Sequence, residues 1–149
     1  IHAMEGTVED QKNYIKRIRN QMENYLFVIE DMKGNVIGMK GLYHYEPVEA
    51  SVESGQFISL GSQIQSMEAL WLSFEFAFYT LRVNKIYMSV LEDNRTMFDI
   101  QKKFGAVPCQ KRYSASFGCD SIDSVLTLKE FQKNEQKIKD LLDRFVDRN

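Results

Sequence analysis

KIYMSVLEDNRTMFDIQKKFGA, from Lys85 to Ala106, is the stretch that decides the fold. Lys85 to Glu92 reads as a buried strand and Asp93-Asn94 as a break. Asn94 to Phe104 then reads as a short amphipathic helix, with Asn94 able to cap it and Gly105 as its stop, because glycine tolerates the left-handed conformation that ends a helix. Just upstream, Met67 to Leu81 (MEALWLSFEFAFYTL) is the strongest helix in the chain. Apolar residues cover most of its circumference, which predicts a central, largely buried element. Trp71, Phe74, Phe76 and Phe78 at helical spacing are therefore expected in the core rather than in an aromatic ligand box.

Working outward toward the N-terminus, Ser51 to Ser59 (SVESGQFIS) reads as a strand with Val52 and Glu53 on opposite sides. Gly55 and Phe57 are expected to continue the alternation on the side of Glu53. Leu60 to Ser66 (LGSQIQS) reads as a loop in which Ser62 or Ser66 would cap the next helix. Tyr25 to Glu30 and Val36 to Tyr45 form a hairpin about Asp31 to Asn35, with Gly34 free to take positive φ. The nearly continuous apolar run at Tyr25 to Glu30 predicts burial on both faces. Gly38 and Gly41 mark a bulge or a close backbone approach. Thr7 to Asn24 reads as an amphipathic helix opened by Thr7, Glu9 and Asp10, with Tyr14, Ile15, Ile18 and Met22 along one side.

Downstream, Val107 to Ser116 and Ile122 to Leu128 read as antiparallel strands joined around Gly118. A charged helix from about Leu128 to Asp147 closes the chain, with Ile138, Leu141, Leu142 and Phe145 on one stripe. The expected fold class is α+β: a mixed, mostly antiparallel sheet flanked by helices, in one domain at residues 7–128. Residues 129–149 form an amphipathic helix packed on that domain or on a partner.

Composition narrows the function classes. A net charge of -2 and a pI near 5.7 give no basic footprint for nucleic acid. No apolar run reaches the ~20 residues that span a bilayer, and the closing helix lacks the basic bias of a membrane-surface helix. Cys109 and Cys119 could be bridged only if they occupy facing positions of paired strands; free thiols in a reducing cytosol are the expectation, hence a cytoplasmic protein. Two cysteines and two histidines at these spacings do not form a metal site.

At FVIED, KGNVIG, SVESGQFI, the MEALWLSFEFAF helix and LEDNRTMFDIQKKFGA, order and spacing resemble the GNAT superfamily of acyl-CoA-dependent N-acetyltransferases. The resemblance spans roughly Thr7 to Leu128 and is strongest to members acting on amino-sugar nucleotides and on protein N-termini, the ribosomal-protein type included. It implies a fold whose central parallel strands, Ser51 to Ser59 and Lys85 to Glu92, splay apart to admit the pantetheine arm of acetyl-CoA. It implies cofactor contacts from Phe57, Ile58 and Ser59, from a pyrophosphate loop of Gly61, Ser62, Gln63, Ile64, Gln65, Ser66 and Met67, and from Asn94. The anion would rest on backbone N–H groups at the start of a helix, where unpaired donors and the dipole favour it. Glu53 falls where many members carry a carboxylate that takes the proton of the amine, directly or through water.

The chain departs from the family pattern in three places. Gly61, Ile64 and Ser66 stand where the loop usually carries Arg or Gln, Gly, and Gly or Ala, and a β-branched residue disfavours the positive-φ turn that glycine permits. Gln101 stands where many members carry a tyrosine acid, so Ser59, a nearby tyrosine or water would protonate the leaving thiolate. The family's usual first strand and helix have no counterpart before Thr7, so the first strand is expected to be missing and an edge at Tyr25 to Glu30 or Val36 to Tyr45 to be open to pairing, as in a homodimer.

The implied function is transfer of an acetyl group to a small-molecule or peptide amine, with an amino-sugar nucleotide as first expectation. The alternative is a non-catalytic interaction or regulatory domain that kept the fold and lost the cofactor loop. Plainer readings stand beside the sharp ones: Glu53 as a solvent-facing strand residue, His44 as a hairpin-packing histidine rather than an acceptor contact, and Asn94 as a helix cap. Arg112, Tyr113 and the loop Ser116 to Ser124 read as solvated rather than as an anion site.

Overall fold

The computed structural model describes residues 6–21 and 23–146. Helix α1 (Val8–Arg19) precedes three strands, β1 (Tyr25–Glu30), β2 (Val36–Glu46) and β3 (Ser51–Ser59). Helix α2 (Gln63–Glu75), prolonged by a π-helical turn at Phe76–Thr80, leads to β4 (Lys85–Leu91). Then come α3 (Arg95–Phe104), β5 (Val107–Ser114), β6 (Cys119–Thr127) and α4 (Leu128–Val146). The strands form one sheet in the order β1-β2-β3-β4-β6-β5, in which only β3 and β4 run parallel. A parallel pair needs a long crossover, and α2 supplies it.

The opening stretch folds as its chemistry dictates. Asn94 Oδ1 accepts from Met97 N at 3.2 Å at the start of α3, and Gly105 takes φ 104° at its end. Alternation along β4 puts Ile86, Met88 and Val90 in the core. There Ile86 and Met88 join Leu42 and Val52 of the sheet and the rings of Phe74, Phe104 and Phe131 in one cluster. Phe74 and Phe104 pack edge to face with centroids 5.0 Å apart, and Trp71 tilts against Phe131 at 5.1 Å. The aromatic residues of α2 are thus core. α4 packs on α2, α3 and β6, with Ile138 and Leu142 buried on its expected stripe.

Five expectations need correcting. The last strand starts at Cys119 rather than Ile122, so most of the expected solvated loop Ser116 to Ser124 is strand, with Ser121 and Ser124 buried. β1 is not buried on both faces: it is the sheet edge, and Val28 is 62% exposed because, among the described residues, none covers the outer side of the pleat there. α1 ends at Arg19 rather than Asn24; the side chain of Ile18, residue Met22 and, at the far end, Asp147 lie outside what is described. α2 begins at Gln63, four residues before Met67, so most of the expected loop is helix. Phe57 leaves the face of Glu53, for a reason given below. Cys109 and Cys119 are free: Cys119 faces Ser114 across the β5–β6 pair, while Cys109 Sγ lies 3.4 Å from the carbonyl of Asp123.

Candidate acyl-transfer site

β3 and β4 pair only from Ser51↔Lys85 to Ser54↔Met88. Beyond that point the strands part, and each keeps only its outer partner: β3 still pairs with β2 as far as Ser59, and β4 with β6 as far as Leu91. The inner edges of Gly55 to Ser59 and of Ser89 to Leu91 therefore have no ladder partner in each other. A bulge in β3 coincides with the parting. Gly41 faces Gly55 and Met39 faces Ile58, so β3 spends one residue more than β2 between these pairs, and Gln56 takes φ 42° there. The extra residue reverses the alternation. Phe57 turns to the core side, where it packs on the hydrophobic cluster, while Ile58 is exposed.

A cavity of about 510 Å³ lies where the strands separate. Phe57, Ser59, Gly61, Gln63 and Ser66 line it from β3 and the start of α2; Thr96, Met97 and Ile100 line it from α3. Ser66 Oγ and Ser59 Oγ are 2.8 Å apart, and Gly61 N donates to Ser59 Oγ at 3.2 Å, so Ser59 ties the turn to the helix. Ser62 is the cap of α2 in a reciprocal box: Gln65 N donates to Ser62 Oγ and Ser62 N donates to Gln65 Oε1. Ile64 sits inside the first turn of the helix, so no positive φ is demanded of it and its β-branch is no obstacle.

Five of the expected cofactor residues thus converge on the cavity. Ile58, Ser62, Ile64, Gln65, Met67 and Asn94 do not line it: Met67 is core, Ser62 and Gln65 form the capping box, and Asn94 caps α3. Sequence reasoning missed Thr96, Met97 and Ile100, although their spacing after the Asn94 cap places them on one helical face. Gln101 does not line the cavity; it is 7% exposed, and its Oε1 has no hydrogen-bond partner among the described residues.

The opposite face of the sheet is polar at the same level. Glu53 faces Tyr87 across the last stretch of β3–β4 pairing, and its Oε2 lies 3.2 Å from His44 Nδ1, both side chains being exposed. The Tyr43 ring lies over Gly41 and Gly55, whose missing side chains make room for it, and its hydroxyl donates to Gln56 Oε1 at 2.6 Å. Burial, reinforced by nearby Tyr14, pushes the Tyr43 phenol well above its ordinary value, so it acts as a donor. Asp123 of β6 stands opposite Ser89 and receives Arg112 Nε at 2.6 Å. Burial raises the Asp123 carboxyl, but the hydrogen bonds from Arg112 and Ser89 outweigh it, and the net shift is downward. Among the described residues no cluster of His, Cys, Asp and Glu could hold a metal ion, and no helix is long and apolar enough to cross a membrane.

Comparison with known proteins agrees with this geometry. Residues 2–107 match the family described as Acetyltransferase (GNAT) domain. Among solved structures, apo FdhC, a nucleotide-linked sugar GNAT, superposes with a TM-score of 0.78 at 20% identity, covering 92% of this chain and 77% of its own. Mutant forms of the spermidine/spermine N-acetyltransferase SpeG from Vibrio cholerae superpose with a TM-score of 0.74 at 16% identity, covering 87% and 78%. A GCN5-related N-acetyltransferase from Brucella melitensis gives 0.76 at 15% identity, covering 91% and 65%. At such identities these likenesses speak for the fold alone, and no curated protein sequence matches the chain. The parted parallel strands, the cavity between them and the family match lead to one conclusion: the chain belongs to the GNAT family of acetyl-CoA-dependent N-acetyltransferases.

Proposed function

We propose that this protein acetylates the primary amine of an amino-sugar nucleotide at the parting of β3 and β4. The observation that carries the reading is the end of pairing at Ser54↔Met88 with the cavity opening directly beyond it. Pantetheine is an extended chain with two amides, and the inner edge of Phe57, Ile58 and Ser59 offers it strand-like hydrogen bonding. The start of α2 suits a pyrophosphate: the capping box uses the N–H groups of Ser62 and Gln65, leaving those of Gln63 and Ile64 as the remaining first-turn donors. Asn94, at the cap of α3, sits at the same end of the sheet.

Acetyl-CoA bound there supplies a thioester carbonyl for the amine to attack. On the opposite face Glu53 takes the amine proton, with His44 beside it to pass the proton to solvent. Ser59, which lines the cavity, is the candidate donor to the leaving thiolate. Holding amine and thioester together supplies much of the acceleration, ~7–11 kcal/mol in favourable cases. For the acceptor, the half-exposed Tyr87, with Gln56, Asp123 and Arg112, gives a polar and aromatic surface suited to a sugar and a base. The fold likeness to a nucleotide-linked sugar GNAT supports this choice, and the likeness to a polyamine acetyltransferase makes spermidine the control substrate.

A second reading, a binding module without catalysis, is favoured by the capping box, because Ser62 N and Gln65 N are already satisfied within the helix. Thermal-shift titration with acetyl-CoA separates the two, since a ligand of the native state raises the melting temperature by mass action. No shift at saturating acetyl-CoA would sink the enzyme reading. Given binding, release of the CoA thiol is expected with an amino-sugar nucleotide and not with spermidine. Glu53→Gln should lower kcat while leaving acetyl-CoA affinity unchanged.

A further inference from the structure

Lys40 is fully buried in the middle of β2, on the core face with Leu42. Its Nζ donates to the carbonyl of Gly41 at 2.7 Å, to Ser54 Oγ at 2.8 Å and to the carbonyl of Gly55 at 3.1 Å. An ammonium has three N–H donors, and here each has one acceptor. The acceptors are not scattered. Ser54 makes the last β3–β4 pair, Gly55 is the first residue of β3 past it, and Gly41 is the β2 partner of Gly55 where the bulge begins.

We propose that Lys40 is a positioning residue of the acyl-transfer site: its ammonium clamps Gly41, Ser54 and Gly55 and so fixes the bulge at Gln56 from which β3 leaves β4. The clamp explains why a charge is kept in an apolar core. Gln56 at φ 42° is a conformation a non-glycine residue holds only when its surroundings impose it. Charge-assisted bonds to two backbone carbonyls, those of Gly41 and Gly55, and to the Ser54 hydroxyl impose it. The Gly55–Gln56 peptide is trans, so its N–H lies on the side away from the carbonyl that Lys40 holds, and β4 is the neighbour of β3 away from β2. Charge at the Gly55 carbonyl polarises that peptide and strengthens its N–H as a donor.

The clamp is sensitive to protonation. Burial pushes the Lys40 amine down to about 7, and no charged group contributes to the shift. β1 sets Phe27 opposite it, Phe76 packs on Phe27, and β3 brings only Ser54 and the Gly55 carbonyl. The neutral amine keeps two N–H donors and must take its third bond from the Ser54 hydroxyl, a weaker grip.

This inference rests on the reading that CoA binds at the parted strands. Its test is calorimetric titration of CoA itself into wild type, Lys40→Met and Ser54→Ala between pH 6 and 8.5. Wild type is expected to bind about tenfold more tightly than folded Lys40→Met at pH 6, and that advantage should shrink above pH 8 as the amine loses its proton. The ionisation of CoA is common to all three proteins and cancels in the ratio. Equal affinity of wild type and folded Lys40→Met at every pH would overturn the clamp while leaving the cofactor reading intact. If wild type binds no CoA, the cofactor reading fails first and the clamp with it. Should Lys40→Met not fold, Ser54→Ala decides: a loss of CoA affinity that is largest at low pH supports the clamp, and wild-type affinity at all pH values refutes it.

Discussion

The buried lysine makes the fold's pH dependence calculable. In the unfolded chain Lys40 titrates near its ordinary value of 10.5, and in the folded protein at about 7. Between those values the unfolded state holds one proton more, so folding stability must rise with pH. Below pH 7 both states are protonated and the burial penalty is present in full; it lifts as pH climbs through the folded value. From pH 7 to pH 9 the gain works out to about 2 kcal/mol, because a pH unit with one proton of difference is worth ~1.4 kcal/mol and the folded amine is already half neutral at pH 7. Cys119 acts in the opposite sense, since burial raises its thiol, and Tyr14 and Tyr43 do so at higher pH for the same reason. Lys40→Met removes only the lysine contribution, so it is the reference. Urea unfolding of both proteins at pH 6, 7, 8 and 9 gives two stability curves to subtract. Their difference should climb by about 2 kcal/mol between pH 7 and 9 in favour of wild type and stay nearly flat below pH 6. A difference that does not change with pH would refute the assignment of a buried ammonium without a counter-charge to Lys40.

Three further outcomes follow from packing. Gly38→Ala would drive its Cβ into the Ile58 carbonyl, which is backbone and cannot step aside, so the β2–β3 pair should open and stability drop by about 2 kcal/mol or more in urea unfolding. Ser62→Ala removes the cap of α2 and should cost ~1 kcal/mol; freeing Gln65 N in the same change should alter CoA affinity in titration, whereas Ser116→Ala, outside the site, should not. Phe104→Ala empties a position with 0% exposure between Phe74 and Trp71 and should cost ~3–5 kcal/mol by denaturant melts, the range for large aromatic truncations.

Much of this architecture is written in local chemistry. Asn94 and Gly105 bound α3 because a side-chain acceptor and a left-handed residue are what its two ends need. Gly34 at φ 80° turns the first hairpin, and the apolar girth of α2 makes it central. The start of α2 was within reach too. Ser62 and Ser66 both suit a cap, but only Ser62 is followed three residues later by a glutamine that completes the reciprocal box.

The site is different, because its key residues are defined by their neighbours. Strand alternation carries Phe57 to the side of Glu53, and only the mismatch in register with β2 inserts the bulge that turns it toward the cavity. The apolar run of β1 looks like a buried strand, and only its place at the sheet edge exposes Val28. Lys40, in VIGMKGLYHY, reads as an ordinary strand lysine. The sequence alone determined the elements, since helix ends, turns and apolar periodicity depend on residues a few positions apart, while the parallel pair at the centre was implied by the family resemblance. The tertiary structure decided where that pair parts and what holds it open, since a bulge register and a buried ammonium depend on groups that meet only when separate strands are laid side by side.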